Sequence, residues 1–355
     1  MIDEVHVKGF KSLVDEKFPL AGVTLLCGMN NSGKSSVIQA IRMYCNSADG
    51  KDPLLAGHGS IDELRSKLVP AGSPIEIFCK FTDQAIDNLT LHSSNYTAPQ
   101  RHPVMLFLSA ERFGPRPALP LDEGFRRVPS LGDHGEYVIG FLEALRGTIV
   151  PEMLRHPSSQ GTTLDFQVAA WLTEIAPGAE LYFEIDRKVD SGRAQFNSFR
   201  APNAGFGLSY SLPIIVAILG AATAIPAEKW NTPWDEYWDV ARQSRGTLLL
   251  IENPEAHLHP SAQTALGKLI SLGAAAGLQI VVETQSDHLM DGVRLAVKQK
   301  LIPAKEVVFN YLSRSAEGKS ERTTPEIDEK GRLSSWPSGF FDQTLKNRIQ
   351  LAKDT

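Results

Sequence analysis

The chain has 355 residues, of which 42% are hydrophobic and 22% are charged, and its formal net charge is −5. This composition is typical of a globular protein and excludes a disordered, collagen-like or disulfide-framework chain. With 36 basic against 41 acidic residues, it does not indicate a general nucleic-acid binder, so any basic surface must be local.

The chain shows no sign of export or membrane insertion. No run reaches the ~18 apolar residues that a membrane span needs, and the first residues contain no apolar signal region. The cysteines are odd in number and scattered, at Cys27, Cys45 and Cys79, which fits a reducing compartment and neither a disulfide set nor a zinc site. We therefore expect a cytoplasmic protein without a membrane partner.

The N-terminal part of the chain predicts strands followed by a helix. Apolar residues alternate over residues 5–10, a second short strand is indicated at 18–20, and residues 23–27 predict a buried strand. Helical spacing of apolar residues then takes over at 37–45. Glycine, aspartate, serine and proline at 46–59 predict a loop.

The rest of the chain alternates strands with helices. Residues 181–185 and 194–199 predict a hairpin with a glycine turn at 190–193, and an apolar helix at 209–224 tolerates Pro213 only in its first turn. This alternation predicts an α/β fold with a mainly parallel sheet. Further strands are predicted at 75–81, 104–108, 247–251, 279–282 and 307–312, and further helices at 135–145, 168–175 and from about Pro260 and Asp287.

A phosphate-binding loop follows the third predicted strand. Residues 28–35 match GxxxxGK[ST] in full, with a buried strand before them and an amphipathic helix after them. Glycines let the backbone N–H groups face phosphates, Lys34 can reach the β- and γ-phosphates, and the Ser35 hydroxyl can ligate Mg²⁺. The predicted nucleotide-binding residues here are Gly28, Asn30, Asn31, Ser32, Gly33, Lys34, Ser35 and Ser36.

A second motif is acidic. The most strand-like run of the chain, 247–251, ends in Glu252. A phosphate-loop NTPase uses a carboxylate at the end of such a strand to hold Mg²⁺. We therefore predict that Glu252 holds Mg²⁺ together with Ser35, through a bound water.

With this strand, residues 254–260 (PEAHLHP) resemble the ABC-type ATPases of the SMC/RecF/OLD group. The resemblance implies a P-loop ATPase head with a mixed or parallel central sheet, an N-terminal antiparallel β-part and helical insertions. It also implies one head over 1–355, with the Q-loop lid and helical insertions at 46–165. Further segments resemble the opening strand, Q-loop region, signature motif, switch segment and C-terminal tail of these ATPases: 7–12, 108–112, 203–209, 283–288 and 327–342.

The resemblance also implies cofactors and a self-partner. In ABC-type ATPases two heads enclose two ATP molecules, and the phosphate loop of one head faces the signature motif of the other. ATP and Mg²⁺ are therefore the implied cofactors, and a homodimer or a higher oligomer is the implied assembly. Gly205, Gly207 and Ser209 would act on the ATP of the second copy.

Two positions depart from the group. The residue after the Mg²⁺-binding carboxylate is often a glutamate that polarises water, and here it is Asn253. Glu255 could replace it or not, and the sequence leaves this open. The switch histidine is replaced by Gln285, which cannot carry a positive charge. Glu252, Asn253, Glu255 and Gln285 form the candidate catalytic set, and we expect slow hydrolysis.

Slow hydrolysis suits a switch better than a motor. The chain has neither the nuclease domain of the OLD nucleases nor long coiled-coil arms, so we expect a separate effector protein. By analogy, this is a nuclease in anti-phage defence. The alternative is a RecF- or SMC-like DNA-repair ATPase acting on DNA, and a transporter subunit would need a better signature motif.

Two further features leave alternatives open. Trp230, Trp234 and Trp238 recur every four residues in an apparent insertion at 226–245, and they either dock a partner or cover the core. Among the basic residues, Lys11 and Arg112 adjoin the recognised motifs. We predict that these two face the nucleotide or DNA.

Overall fold

The computed structural model describes residues 1–122, 130–224, 233–336 and 343–352, without the side chains of 233–235 and 343–346. Its centre is a six-stranded sheet in which all strands but the last are parallel. The three middle strands are buried almost throughout, as expected for parallel strands covered on both faces. The spatial order is β7 (Val104–Leu108), β12 (Thr247–Glu252), β13 (Gln279–Glu283), β3 (Val23–Gly28), β14 (Val307–Arg314) and β15 (Ser320–Thr323).

An antiparallel sheet forms the second layer. Its central strand, β4 (Ile75–Phe81), alternates between buried and half-buried residues, because one face of an antiparallel sheet packs on the core. The helix after the phosphate loop, α1 (Lys34–Ala48), contributes to the same apolar core as this sheet and the near face of the six-stranded sheet. The antiparallel order is β2 (Leu13–Pro19), β1 (Ile2–Phe10), β4 (Ile75–Phe81), β5 (Ile86–Leu91) and β6 (Tyr96–Thr97).

Helices cover the other face of the six-stranded sheet and build a larger core with it. The fold class predicted from the sequence is therefore confirmed. These helices are α3 (Val138–Ala144), α4 (Leu164–Ile175), α5 (Phe206–Ala222), α6 (Pro233–Arg245), α7 (Pro260–Ala275) and α8 (Asp287–Lys298). Two further helices are α2 (Ile61–Leu64) and α9 (Gln343–Leu351).

A small third sheet contains the predicted hairpin, formed by β9 (Leu181–Asp186) and β10 (Ser191–Phe196). The turn lies at 187–190 and not at 190–193. Gly192 belongs to β10, where a side chain would collide with Ile139. The remaining strands of this sheet are β8 (Leu119–Pro120) and β11 (Phe199–Arg200).

The apolar helix α5 starts earlier than predicted. It begins at Phe206, so Pro213 lies inside the helix and not in its first turn. The Pro213 nitrogen has no hydrogen to donate to the carbonyl of Ser209. Dense packing of the following turns, which are fully buried from Ser211 to Ala221, offsets this loss.

The tryptophan segment packs into the core where the structure describes it. Trp238 of α6 is fully buried, and its ring meets the edge of Phe141 at 6.3 Å between ring centroids. Trp230 and the side chain of Trp234 lie outside the described part of the chain. For Trp238, packing is therefore the correct alternative.

Within the described ranges, no helix is long and apolar enough to span a membrane.

Candidate nucleotide-binding site

The phosphate loop joins β3 to α1 and is shaped by two glycines. Gly28 has φ 137° and Gly33 has φ 104°, conformations that favour glycine. A Cβ on Gly28 would collide with the carbonyl oxygen of Leu312, and one on Gly33 would collide with the hydroxyl of Ser320. The curled loop leaves the N-terminus of α1 at the cavity, where backbone N–H groups favour an anion.

Lys34 lies within this loop and is only 4% exposed. Its ammonium group donates to the carbonyl oxygens of Gly28 and Met29, at 3.0 and 2.8 Å. Burial lowers the pKa of Lys34, and the nearby carboxylate of Glu283 opposes this effect. The phosphate loop therefore holds the positive charge of Lys34 close to its own backbone.

Two carboxylates end neighbouring strands beside the loop. Glu252 on β12 is paired in register with Glu283 on β13, and Oε1 of Glu283 lies 4.0 Å from Nζ of Lys34. Burial raises the pKa of both glutamates. Glu252 also accepts a hydrogen bond from the backbone N–H of Ala110, at 3.1 Å.

The oxygen atoms gathered here fit a magnesium ion. The buried Oε2 of Glu283 has no hydrogen-bond partner among the described residues, and the Ser35 hydroxyl interacts with the same carboxylate. The described chain contains no group of three His, Cys, Asp or Glu residues that could hold a metal. A site with few protein ligands suits Mg²⁺, which keeps waters and binds one or two carboxylates together with substrate phosphates.

The loop after β12 is tied to the switch segment. The carboxylate of Glu255 accepts from the hydroxyl of Thr284 at 2.9 Å and from the backbone N–H of Gln285 at 2.7 Å. Gln285 itself is exposed and lines the cavity. Glu255 and Gln285 are thus brought together, with Glu255 already engaged on both oxygens.

Arg112 does not face the nucleotide or DNA, and that prediction is wrong. The side chain is 2% exposed, and burial lowers its pKa to about 10. It donates to the carbonyl oxygens of Glu252 and Asn253, both at 2.7 Å. Asn253 has φ 42°, so Arg112 fixes the turn that follows β12.

The signature segment lies outside the cavity. Gly205 precedes α5, is exposed, and has open space around the position of a Cβ. At Gly207 a Cβ would lie 3.0 Å from the carbonyl oxygen of His257, so this glycine lets α5 approach the loop after β12. The hydroxyl of Ser209 is buried without a hydrogen-bond partner in the described ranges.

The cavity over the phosphate loop has a volume of about 710 Å³. Most of the predicted nucleotide-binding residues line it. The sequence did not single out Glu283 or Arg314 as site residues, although Glu283 is recognisable as a second carboxylate at a strand end. The lining comprises Lys11, Ser12, Asn30, Asn31, Ser32, Gly33, Lys34, Ser35, Ser36, Gln39, Glu63, Arg65, Lys67, Leu68, Glu283, Gln285, Arg314, Glu317 and Gly318.

Known families match three parts of the chain. Residues 1–113 match an AAA ATPase domain, and residues 171–291 match a family described as "AAA domain, putative AbiEii toxin, Type IV TA system". Residues 302–351 match a protein family of unknown function, DUF3696. An uncharacterized protein of Methanocaldococcus jannaschii, MJECL10, is 30% identical over 108 residues, which are 27% of this chain and 48% of that protein. The match thus spans about half of that relative's length.

Solved structures of SMC heads share the fold. The Pyrococcus furiosus Smc head with an extended coiled coil is 11% identical, with a TM-score of 0.53 over 99% of each chain. An SMC head bound to the C-terminal winged-helix domain of ScpA is 13% identical, with a TM-score of 0.53 over 92% of this chain and 98% of the other. Together with the matches to AAA domains over residues 1–113 and 171–291, these likenesses show that the chain has the fold of an SMC head.

Proposed function

We propose that the protein is an ATP-operated switch. It binds Mg²⁺ and ATP, dimerises around ATP, hydrolyses it slowly and controls a separate effector, a nuclease, in cytoplasmic anti-phage defence. The observation that carries this proposal is the turn after β12, where Asn253 stands in the place of a catalytic carboxylate. Arg112 fixes the backbone of that turn through two carbonyl oxygens.

Each site residue has a role in this proposal. Lys34 and the N–H groups of the phosphate loop hold the phosphates. Glu252 and Ser35 would hold Mg²⁺, with Glu283 as a further carboxylate beside them, and the ion would supply positive charge to the phosphates. Gln285 orients water from the cavity wall. An amide at 253 cannot accept a proton as a carboxylate can, so turnover stays below about 1 s⁻¹, the lower end of typical enzymes.

The exposed start of α5 supports dimerisation. Gly205 is open to solvent, and the neighbouring ring of Phe206 is 54% exposed. In an ATP-dependent dimer this segment would contact the nucleotide of the second copy. An exposed large apolar side chain beside small residues at a helix start suits such a contact.

Two similarities to other proteins support a separate effector. An SMC head of the same fold binds the winged-helix domain of ScpA, so this fold can dock a partner subunit. The family matched by residues 171–291 is named for a putative toxin of a toxin–antitoxin system. Both support a head that acts on another protein.

The test introduces a large side chain at Gly205, where the proposed dimer contact has room only for a small residue. G205W should leave the monomer folded, because no atom lies within 4 Å of the Cβ position, yet it should abolish ATP-dependent dimerisation measured by light scattering. G147W is the matched control at another exposed, open glycine. A wild-type protein that stays monomeric with Mg²⁺ and ATP refutes the dimer, and DNA-stimulated, salt-sensitive hydrolysis would favour DNA repair.

A further inference from the structure

The hairpin formed by β14 and β15 is fastened to the phosphate loop. Ser320 is 1% exposed, and its hydroxyl lies 2.8 Å from the carbonyl oxygen of Ser32 and 2.7 Å from the hydroxyl of Ser12. The backbone N–H of Ser320 donates to the carbonyl of Ser12, at 2.9 Å. One buried serine thus joins the hairpin, the β1–β2 turn and the phosphate loop.

Arg314 stands opposite Ser320 in the register of this hairpin and lines the cavity. Its Nε donates to the carbonyl of Gly318 at 3.0 Å, and one Nη donates to the carbonyl of Asn31 at 3.4 Å. A guanidinium has five N–H donors, so these two contacts leave donors for a ligand. The side chain is exposed, which allows it to meet an anion that enters the cavity.

The sheet order decides which part of a nucleotide Arg314 can meet. β14 lies on one side of β3, whereas β13 and β12, with Glu283 and Glu252, lie on the other. We expect the γ-phosphate to be hydrolysed on the side where the two carboxylates lie. Arg314 therefore lies on the side of β3 away from these two carboxylates.

We propose that Arg314 is a nucleotide-binding residue that contacts the phosphates shared by ATP and ADP and takes no part in the chemical step. Guanidinium groups suit this role because their planar fork matches phosphate oxygens. The other charged residues of the cavity rim near the hairpin and the β1–β2 turn are Lys11, Glu63, Arg65, Lys67 and Glu317. Glu317 is the one acidic residue of the hairpin that lines the cavity, whose other acidic lining residues are Glu63 and Glu283.

The proposal rests on ATP binding by the same site, and its test separates binding from chemistry. R314Q should raise the Kd for ATP and for ADP by about tenfold, the typical loss for one charge-assisted hydrogen bond. The KM for ATP should rise with the Kd while kcat stays within about twofold. R314K should bind both nucleotides more tightly than R314Q, because it keeps the charge.

K319Q is the matched control on the same hairpin, since Lys319 pairs with Glu16 at 3.2 Å and does not line the cavity. Equal nucleotide affinity of R314Q and K319Q would overturn the proposal. So would a loss of ATP affinity without a loss of ADP affinity, or a fall in kcat at unchanged KM. If the wild-type protein binds nucleotide but never dimerises, the proposed ATP-operated switch is refuted, and the comparison of R314Q with K319Q still tests the role of Arg314. If the wild-type protein binds no nucleotide, both proposals are refuted.

Discussion

Glu252 and Glu283 are direct neighbours across two parallel strands, and they present a half-buried and a buried carboxylate, respectively. Two like charges at this spacing repel each other, and each also loses hydration. Lys34 lies 4.0 Å from Glu283 and compensates only part of the cost. Without a bound cation, keeping both carboxylates ionised therefore costs folding free energy.

The first prediction concerns stability against pH. Burial raises the pKa of Glu283 above its ordinary value of 4.5, so between the two values the folded protein binds more protons than the unfolded chain. Stability therefore falls as pH rises through this window, and the loss persists at higher pH. E283Q should be more stable than the wild type at pH 8 by about 1–3 kcal/mol, measured by urea unfolding in EDTA.

The gain should shrink as the pH approaches 4.5, because the wild-type carboxyl is then protonated as well. E321Q removes an exposed glutamate of β15 and serves as the control, with no change beyond about 0.5 kcal/mol. A destabilised E283Q at pH 8 would show that the charge on Glu283 is favourable in the folded protein.

The second prediction concerns the missing carboxylate. N253E should raise the turnover of ATP by about 10²-fold, since a positioned general base contributes roughly 10²–10⁴-fold. It should also lower the free energy of unfolding by about 1 kcal/mol, because φ 42° at this position disfavours a residue with a long side chain. Steady-state phosphate release and urea unfolding measure the two effects.

N253Q is the matched control, because it lengthens the side chain in the same backbone conformation without adding a base. Unchanged turnover in N253E, combined with loss of hydrolysis in E255Q, would assign the role of base to Glu255. The hydrogen bonds of Glu255 to Thr284 and Gln285 would then have to open during catalysis.

The phosphate loop and the strand ending in Glu252 were predictable because their signals are local. A glycine pattern between a strand and a helix, and a buried strand ending in a carboxylate, each lie within about ten residues. Arg112 was misread because its partners, the carbonyls of Glu252 and Asn253, are 140 and 141 residues away in the chain. Backbone carbonyls leave no mark in a sequence.

Arg314 illustrates the same limit. It reaches the site only because β14 pairs with β3, for example Leu312 with Gly28, at a separation of 284 residues in the chain. Pro213 shows the opposite case, in which a strong local rule gives the wrong start for a helix. The rule places proline in a first turn, yet the burial of α5 keeps the helix intact around it.

The third prediction concerns the three thiols. Cys27, Cys45 and Cys79 are buried and free. Burial raises the pKa of Cys45 to about 12, and it raises those of Cys27 and Cys79 as well. Because the thiolate is the reactive form, native protein at pH 8 should show no rapid reaction with a thiol reagent, and unfolded protein should react at all three. Rapid labelling of folded protein would contradict this burial.

The fourth prediction concerns Trp238. Its indole is fully buried against Phe141, and the guanidinium of Arg242 lies over the ring at 4.9 Å. W238A should therefore lower the free energy of unfolding by about 3–5 kcal/mol, the usual cost of deleting a large aromatic core side chain.

W238F should cost less, because the indole nitrogen has no hydrogen-bond partner among the described residues and only volume is lost. Y237A, at the adjacent and 38% exposed position of α6, should cost less than W238A when all three are compared by urea unfolding. A stable W238A that has lost an effector would instead make Trp238 part of a docking surface.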